Sequence, residues 1–412
     1  MGQQPIAKSQ KPIKHRKWNI YRKNNMKRVI DTEKVPIKMW LDEMEDEALA
    51  QAKNLANLPF TYRHVAIMPD SHVGYGMPIG AVLAAEGAVI PNAVGVDIGC
   101  GMCALKTDLK EIKIKKLKKI MGIARELIPV GFNHHKKAQD ETLMPSQPLE
   151  EMHVVSRQYK AALKQVGTLG SGNHFVEIQK GSDGFIWIMI HSGSRNIGLQ
   201  VANYYNNIAK KLNERFHSVV GPWMQLAFLP IETKEAKDYL AEMQYCVDFA
   251  LANRKLMMDR MIEAVTDAVG SFGHDEMINK SHNFAAWEHH FGKNVLVHRK
   301  GATKAYDGEP GMIPGSQGTK SYIVVGKGNE ESFKSCSHGA GRKMGRRQAQ
   351  RKLDLKREID FLDRQKIVHG ISKQRDLDEA ASAYKDIGEV MKNQKDLVDI
   401  MVELQPLAVI KG

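Results

Sequence analysis

Residues Phe60–Pro91 read FTYRHVAIMPDSHVGYGMPIGAVLAAEGAVIP, in which short apolar runs alternate with glycine and proline. This alternation is typical of strands joined by tight turns. Elsewhere, apolar positions recur with helical periodicity over residues 38–58, 108–127, 149–165, 199–217 and 232–268. Regular strand–helix–strand units are few, so we expect an α+β fold of mixed sheets flanked by long helices. No low-complexity linker interrupts the middle of the chain, which favours one large domain.

The composition is that of a globular protein. The chain has 412 residues, 42% of them hydrophobic, which is enough for a substantial core. It contains no apolar run of about 18 residues, the length that predicts a membrane span. The polar, lysine-rich start also lacks the apolar segment of a secretory signal. We therefore expect a cytoplasmic protein without membrane association.

The net charge of +13 is concentrated in residues 8–38, 106–119 and 342–375. Such basic patches suit a polyanion such as nucleic acid, although solvated helix faces produce similar runs. Residues 1–37 combine this charge with three prolines. We predict a basic N-terminal arm or short edge elements there, ahead of a domain that spans residues 38–412.

The stretch NAVGVDIGCGMCAL, residues 92–105, places Asp97 and Cys100 three positions apart among glycines and small apolar residues. Cys100 and Cys103 also form a CxxC pair, which is typical of half a zinc site or of a redox pair. No second CxxC is present to complete four thiolates, so we interpret the stretch as an Asp-x-x-Cys motif.

Several histidines follow apolar strands and precede glycine-rich turns. FIWIMIHSGSRNIG carries His191, NVLVHRKGAT carries His298, and CSHGAGRKMGRRQAQ carries His338 ahead of a basic helix. GSGNHFVEI adds Asn173 and His174. Because backbone without side chains admits a phosphate closely, we expect these histidines to point into one shared cleft.

One oxygen, one sulfur and three ring nitrogens make up a mixed donor set, from Asp97, Cys100, His174, His191 and His298. Mixed donors suit Mn, Fe, Co or Zn rather than Ca or Mg. Five donors exceed the four of a closed structural zinc site, which indicates a dinuclear or an open catalytic centre. A purely structural zinc site is the alternative.

His338 has a cationic neighbourhood, with Arg342 four residues later and a run of Lys and Arg after it. A cationic setting favours a neutral imidazole and a bound phosphate, as a nitrogen nucleophile that attacks phosphorus requires. Arg342 could then hold phosphate oxygens in bidentate fashion. The alternative is a simple anion site at a helix N-terminus, without a covalent step.

Nine motifs occur in a fixed order: MPDSHVGYGMPIG, AVGVDIGCGM, GTLGSGNHFVEI, HSGSRNIG, VHRKGAT, PGSQGTKSYIV, HGAGR, AYKDI and VIKG. Together they resemble the RtcB-type RNA ligases, the manganese- and GTP-dependent enzymes of tRNA splicing and RNA repair. The match runs from about residue 60 to the last residue. The resemblance implies an RtcB-like catalytic domain around a central metal cleft.

The resemblance also implies a reaction in three steps. His338 would attack the α-phosphate of GTP to give a histidine–GMP phosphoramidate and pyrophosphate. GMP would pass to an RNA 3′-phosphate, and a 5′-hydroxyl would then attack the activated end and release GMP. A 2′,3′-cyclic phosphate end would first be opened by hydrolysis. The implied partners are these RNA ends, GTP and an archease-type activator, and the implied state is a monomer.

Residue roles follow from the same resemblance. The metal ligands implied for two Mn²⁺ ions, with Cys100 as their bridge, are Asp97, Cys100, His174, His191 and His298. The nucleotide-binding residues implied are Asn173, Glu177, Ser316, Ser321, His338, Gly339, Ala340, Gly341, Arg342, Tyr384 and Lys411.

The chain departs from the family pattern at three places. Pro-Asp-Val-His is here Pro69-Asp70-Ser71-His72, and Gly345-Arg346 stands where a Ser-Arg pair is common. The turn after His191 reads Arg195-Asn196-Ile197-Gly198. None of these departures removes an implied ligand, so they bear on substrate preference. Two other hypotheses are open at this point: a metal-dependent phosphoesterase that trims RNA ends without nucleotidyl transfer, and a non-catalytic RNA-binding protein that uses its basic surface alone.

Overall fold

The computed structural model describes residues 26–412. Its strands are β1 (Arg28–Ile30), β2 (Ile37–Met39), β3 (Thr61–His72), β4 (Ile79–Ala85), β5 (Ala88–Val89), β6 (Gly101–Lys106), β7 (Phe175–Gly181), β8 (Ile186–Ser192), β9 (Leu229–Pro230), β10 (Ile278–Ser281), β11 (Asn283–His290), β12 (Lys293–Lys300), β13 (Ala302–Lys304), β14 (Pro310–Ile313), β15 (Ser321–Gly326), β16 (Ser335–Ser337) and β17 (Val398–Lys411). Its α-helices are α1 (Asp46–Ala56), α2 (Pro91–Val94), α3 (Ile114–Leu127), α4 (His153–Ala162), α5 (Arg195–Arg215), α6 (Lys234–Val269), α7 (Arg346–Lys352), α8 (Leu355–Arg364) and α9 (Ile387–Asn393).

Two large sheets form the frame. A six-stranded sheet has the order β1-β2-β3-β4-β12-β11, and a seven-stranded sheet has the order β10-β6-β8-β7-β17-β15-β14. Every pairing in both sheets is antiparallel except that of β2 with β3. Strands distant in sequence are neighbours in both sheets, and helices are not interleaved strand by strand. The predicted α+β fold in one domain is confirmed.

The apolar patterns explain how the seven-stranded sheet is covered. All seven residues of β8 are buried, and α3 and α6 pack beside this sheet through a shared apolar cluster that includes Leu117, Ile190 and Met257. The long helix α6 is capped at its start by Thr233, whose hydroxyl accepts the N–H of Ala236, and is followed by Gly270 with φ of 100°. A polar cap and a terminal glycine are common boundaries of a helix.

Four of the five predicted helices lie where the periodicity placed them, as α3, α4, α5 and α6. The prediction over residues 38–58 is wrong in its first part, because only residues 46–56 are helical. Ile37 and Met39 are buried on either side of the partly exposed Lys38 and pair in parallel with β3. This alternation has the period of a strand, not of a helix.

Residues 26–37 contain the edge strand β1, and Ile30 and Ile37 pack into an apolar cluster below the six-stranded sheet. Short edge elements were expected in this region. The remainder of the predicted N-terminal arm, residues 1–25, lies outside the described residues. Within the described part of the chain, no helix is both long enough and apolar enough to cross a membrane.

The two sheets meet where β10 of one sheet continues, through His282, into β11 of the other. The loop between α2 and β6 lies against this crossing: His282 N–H donates to Cys100 O at 2.8 Å, and Gly99 N–H donates to Asn283 O at 2.8 Å. These backbone bonds fix the Asp-x-x-Cys motif at the junction of the sheets.

Candidate active site

A cavity of about 740 Å³ opens at this junction. Its size lies in the range of ligand sites, roughly 300–1,000 Å³. The predicted site residues that line it are Asp97, Cys100, Asn173, His174, Glu177, His191, Ser316, His338, Gly339, Ala340, Gly341, Arg342, Tyr384 and Lys411. Two predicted residues, Ser321 and His298, do not line it.

A buried thiol stands at the centre of the metal-compatible part of the cavity. Cys100 Sγ lies 3.4 Å from His174 Nε2 and 3.2 Å from His191 Nε2. Two groups of possible ligands share this sulfur, Asp97–Cys100–His174 and Cys100–His191–His282, and within each group the ligand atoms lie within 4.8 Å of one another. The same sulfur thus belongs to both groups that could hold a metal ion.

Backbone carbonyls orient two of these imidazoles. His174 Nδ1 lies 2.9 Å from Leu169 O, and His191 Nδ1 lies 3.1 Å from Asn173 O. Since a carbonyl oxygen only accepts, each Nδ1 carries the proton and each Nε2 presents its lone pair to the cluster. Metal-bound histidines are commonly oriented in this way. The chain thus holds these two rings in the tautomer that a ligand requires.

The electrostatics of the cluster also fit a cation. Burial, followed by the charge of Asp97, raises the pKa of the Cys100 thiol well above its ordinary value. Burial lowers the pKa values of His191 and His282 well below the ordinary value, so both rings are neutral. The Nε2 atoms of His191 and His282 are 3.3 Å apart. Acceptors this close repel unless a proton or a metal ion lies between them, and a bound ion would also favour the thiolate.

Asp97 is the hard donor of the cluster. Although burial opposes ionisation, the neighbouring His174, whose Nε2 lies 3.0 Å from Asp97 Oδ2, holds the pKa of Asp97 below its ordinary value. The backbone of Gly193 closes over this carboxylate, and a Cβ there would lie 2.2 Å from Asp97 Oδ1. Only glycine leaves room for that approach.

The structure does not bring His298 into this cluster, and His282 lies there instead. His298 is fully buried in the middle of β12, where its Nε2 accepts the N–H of Ile90 at 3.1 Å. Lys300, two residues later on the same face of the strand, does line the cavity. His298 therefore lies deeper in the packed interior. The sequence signal for His282 was its position after a short strand, in SHNF.

Two polar residues of α6 that the sequence did not single out hold the cluster from behind. Buried Arg254 donates through one nitrogen to Gly99 O and Ser192 O, at 2.9 Å each. Its neighbour Asn253 donates to Gly193 O at 3.1 Å. Both bind the loops that carry ligands. A polar pair on the mostly apolar buried face of a long helix was the available signal.

His338 lies beside the metal-compatible cluster, with its ring centroid 4.8 Å from that of His282. Its Nδ1 is 2.7 Å from Asp70 Oδ2, the same oxygen that accepts the backbone N–H groups of His338 and Gly339. Although burial opposes ionisation, the contact with the His338 ring holds the pKa of Asp70 below its ordinary value. The acid is therefore ionised and orients the ring, with Nε2 as the free nitrogen.

Two glycines allow the backbone to close around His338. At Gly301, with φ of 62°, a Cβ would lie 3.0 Å from His338 Cε1. At Gly341, with φ of 74°, a Cβ would lie 2.0 Å from Asp70 O. A side chain at either position would displace the Asp70–His338 pair, which explains why HRKGAT and HGAGR have glycine there.

Glu379, which the sequence analysis missed, organises the cationic wall of the cavity. Its carboxylate accepts from Arg342 at 2.8 Å, from Arg346 at 2.7 Å and from the hydroxyl of Tyr384. Arg342 also donates to Asp378 O at 2.6 Å. In this arrangement Arg342 does not present a free guanidinium edge for the predicted bidentate phosphate contact, because its nitrogens already donate to protein oxygens.

A buried carboxylate and a buried ammonium lie at the far end of the cavity. Burial raises the pKa of Glu177 to about 8, and the charge of Lys411 opposes this shift. Burial likewise lowers the pKa of Lys411, whose Nζ lies 5.4 Å from the centroid of the Phe175 ring. Ser321 stands behind this end, where its hydroxyl accepts from Gln179 at 3.1 Å.

The fold and the cavity together define a class of protein: an α+β enzyme-like architecture with a possible metal site of Asp, Cys and His next to an acid-paired histidine. The family model described as tRNA-splicing ligase RtcB matches residues 51–152 and 140–412. The chain therefore belongs to the RtcB family.

Named relatives agree with this family. The chain is 37% identical over 412 aligned residues to the RNA-splicing ligase RtcB of Escherichia coli strain K12, which covers 93% of this chain and 99% of that protein. It is 30% identical to the tRNA-splicing ligase RtcB of Thermococcus kodakarensis, covering 92% and 95% of the two chains. Against the tRNA-splicing ligase RtcB of Nanoarchaeum equitans the identity is 32%, with 96% and 98% covered. These relationships support an RNA ligase function.

Proposed function

We propose that this protein joins RNA 3′-phosphate or 2′,3′-cyclic phosphate ends to 5′-hydroxyl ends through a covalent His338–GMP intermediate. The observation that carries the proposal is the position of His338, whose ring is fixed by Asp70 at 2.7 Å and lies 4.8 Å, between centroids, from His282 of the metal-compatible cluster. An oriented nucleophile beside a two-group metal site suits transfer at phosphorus.

The first step uses the free nitrogen of His338. The ionised carboxylate of Asp70, 2.7 Å from Nδ1, favours the tautomer with the ring proton on Nδ1. Nε2 then carries the lone pair and attacks the α-phosphorus of GTP. A P–N bond forms, the bond to the bridging oxygen breaks, and pyrophosphate leaves. The ring acquires positive charge as the bond forms, and the ionised carboxylate of Asp70 stabilises that charge. Asp70 is therefore a positioning residue that also supplies electrostatic stabilisation.

The next two steps return the histidine and seal the RNA. An oxygen of the RNA 3′-phosphate attacks the guanylyl phosphorus, the P–N bond breaks, and neutral His338 is restored. The product is an RNA-(3′)pp(5′)G end. The 5′-hydroxyl oxygen then attacks the RNA phosphorus, loses its proton and displaces GMP. A cyclic phosphate end is first opened by water to the 3′-phosphate.

The ligand set proposed for two Mn²⁺ ions is Asp97, Cys100, His174, His191 and His282, with Cys100 common to both groups. When bound, such ions would polarise the attacked phosphoryl group and stabilise the entering and leaving oxygens. Guanylate contacts are proposed for the cavity-lining residues Asn173, Glu177, Ser316, Gly339, Ala340, Gly341, Arg342, Tyr384 and Lys411, and for Ser321 behind Gln179.

Incubation with α-labelled GTP and Mn²⁺ tests the covalent step. We expect label on the protein through a bond that is acid-labile and base-stable, and loss of the label in His338→Ala by on the order of 10⁴-fold or more. His289→Ala is a matched control and should label like wild type. His289 is exposed, and within residues 26–412 its side chain forms a hydrogen bond only with Asn294. Equal labelling of wild type and His338→Ala would show that His338 is not the nucleophile.

The same preparation separates the two other hypotheses. A metal-dependent RNA-end phosphoesterase would release phosphate without GTP and would not need His338 or Lys411. A protein that only binds RNA would bind in a salt-dependent way and ignore both chelators and Cys100→Ala. The proposed ligase requires GTP, metal and Cys100 together. Guanine specificity, manganese, the monomeric state and an archease-type activator enter the proposal through the family resemblance.

A further inference from the structure

An aromatic ring stands in solvent at the rim of the cavity. Phe132 is 92% exposed, the highest value among the large apolar side chains of residues 26–412. It lines the cavity together with Gly131 and His134. An exposed phenyl group is unfavourable unless a ligand or partner covers it. Because Phe132 lies at the mouth of the cavity, we infer that the molecule that enters the cavity covers the ring.

The segment that carries this ring is anchored on both sides. Gly131 N–H donates to Gly170 O at 2.7 Å, and Arg195 donates to Gly131 O at 3.4 Å. On the other side, His135 N–H donates to Lys164 O at 3.0 Å. The tip, residues 132–134, is thus short and fixed at its base. Phe132 is presented at a defined place on the rim.

The residues that follow the ring along the chain are polar or cationic. Lys136 and Lys137 are exposed, and neither forms an ion pair with a carboxylate within residues 26–412. Arg195, which anchors the tip, also lines the cavity. One exposed ring is too small for a protein interface, whose core is a larger apolar patch.

We propose that Phe132 is a stacking platform for one unpaired nucleobase of the RNA end that the cavity holds, with Lys136 and Lys137 beside the RNA backbone. Single-stranded RNA is held by exposed aromatic side chains together with cations along the backbone. This inference rests on the proposed RNA ligation and names a substrate contact within it. Stacking tolerates any base, so the platform holds ends of varied sequence.

The test pairs a change in the protein with a change in the RNA. Short RNAs with a 3′-phosphate or a 5′-hydroxyl end are made intact or with one abasic nucleotide in the last three positions, and Kd is measured by fluorescence anisotropy. For wild type we expect an abasic nucleotide at one position to weaken binding about 10-fold. Phe132→Ala should bind intact RNA about 10-fold more weakly than wild type does. Its Kd should not rise further when the RNA is abasic at that position. Phe132→Trp should restore both values.

Phe216→Ala is the matched control, because Phe216 is 63% exposed and does not line the cavity. It should leave every Kd unchanged. In Lys136→Ala/Lys137→Ala, the slope of log Kd against log salt should fall by about 1 to 2. Thermal unfolding of Phe132→Ala should match wild type, since the side chain is exposed.

Labelling of His338 by GTP without RNA separates this inference from the proposed function. A wild type that neither labels nor joins ends contradicts the proposed function itself. If wild type labels and ligates, but abasic penalties are the same in wild type and Phe132→Ala at every position of both strands, the platform is wrong. A change of sedimentation in Phe132→Ala would instead identify the tip as a protein contact and would also overturn the inference.

Discussion

Two buried polar clusters of this molecule differ in how their atoms are satisfied. In the cluster of Glu288, His290, Arg299 and Lys304, hereafter the Glu288 cluster, charges of opposite sign are matched. Arg299 donates to both Glu288 oxygens, at 2.6 Å and 2.9 Å, and His290 Nε2 lies 3.0 Å from Glu288 Oε2. Although burial opposes ionisation, the charge of Arg299 holds the pKa of Glu288 well below its ordinary value.

The cluster around Cys100 is built the other way, from acceptors that face one another. Asp97, the shared thiol and three imidazoles converge, and the Nε2 atoms of His191 and His282 are 3.3 Å apart. Buried polar groups are normally satisfied by partners. A cluster of matched charges indicates architecture, whereas possible ligand atoms that converge on one shared sulfur indicate a place for a cation. The comparison therefore separates structural from functional burial in one chain.

The largest effect should come from removing the shared sulfur. Because Cys100 belongs to both ligand groups, we expect Cys100→Ala to lose metal loading and to lower ligation by on the order of 10⁴-fold. Metal content after dialysis against Mn²⁺, measured by elemental analysis, is the direct readout. Cys103→Ala is the control and should keep its metal, since Cys103 belongs to neither ligand group and packs in an apolar cluster. Equal metal content in both variants would contradict the ligand assignment.

The second effect concerns the acid behind His338. In Asp70→Asn the amide can donate to Nδ1, which favours the tautomer with the proton on Nε2 and removes the attacking lone pair. We expect the rate of guanylylation to fall by on the order of 10² to 10⁴, while metal content is unchanged. Single-turnover labelling with GTP measures it.

A surface pair of the same kind supplies the control for Asp70. Asp363 Oδ1 lies 3.2 Å from His369 Nε2, and the Asp363 side chain is 65% exposed. Asp363→Asn should label at the wild-type rate, because its histidine has no part in the cavity. A normal labelling rate in Asp70→Asn would mean that the short contact to His338 is only structural.

The sequence predicted the residues of this site that local spacing brings together, but not those that only the tertiary fold brings together. Asp97 and Cys100 lie in one short loop, so their spacing alone brings them together. His298 and His282 depend on the depth of a residue along a strand and on where a chain crosses between two sheets, and neither is readable from a local pattern. The prediction of a helix from residue 38 was wrong for a similar reason. Lys38 between two apolar neighbours fits either a helix or a strand, and only the pairing with β3 decides for the strand.

The third effect tests whether the Glu288 cluster is architecture. Glu288→Ala leaves the charge of Arg299 buried and unpaired, so we expect a loss of about 3–5 kcal/mol in the free energy of unfolding. Folded protein should still guanylylate His338. In Glu288→Leu/Arg299→Leu both charges are removed, and part of the stability should return. The exposed pair Lys234–Asp238 is the control, with Asp238→Ala costing roughly 0.5 kcal/mol or less. Loss of labelling in well-folded Glu288→Ala would end the distinction between the two clusters.

The smallest effect sharpens the assignment of His298. Burial lowers its pKa from 6.5 to about 4, so the unfolded chain binds a proton between those values while the folded chain does not. The stability that depends on a neutral His298 is therefore fully present above pH 6.5 and is lost as the pH falls towards 4. In His298→Gln the amide oxygen can still accept the N–H of Ile90, but the titration is gone. Urea unfolding at pH 7.5 and pH 5 should show a loss of stability in wild type that exceeds that of His298→Gln by about 2 kcal/mol. The variant should keep its metal and its ligation activity, whereas loss of metal in His298→Gln would return this residue to the ligand set.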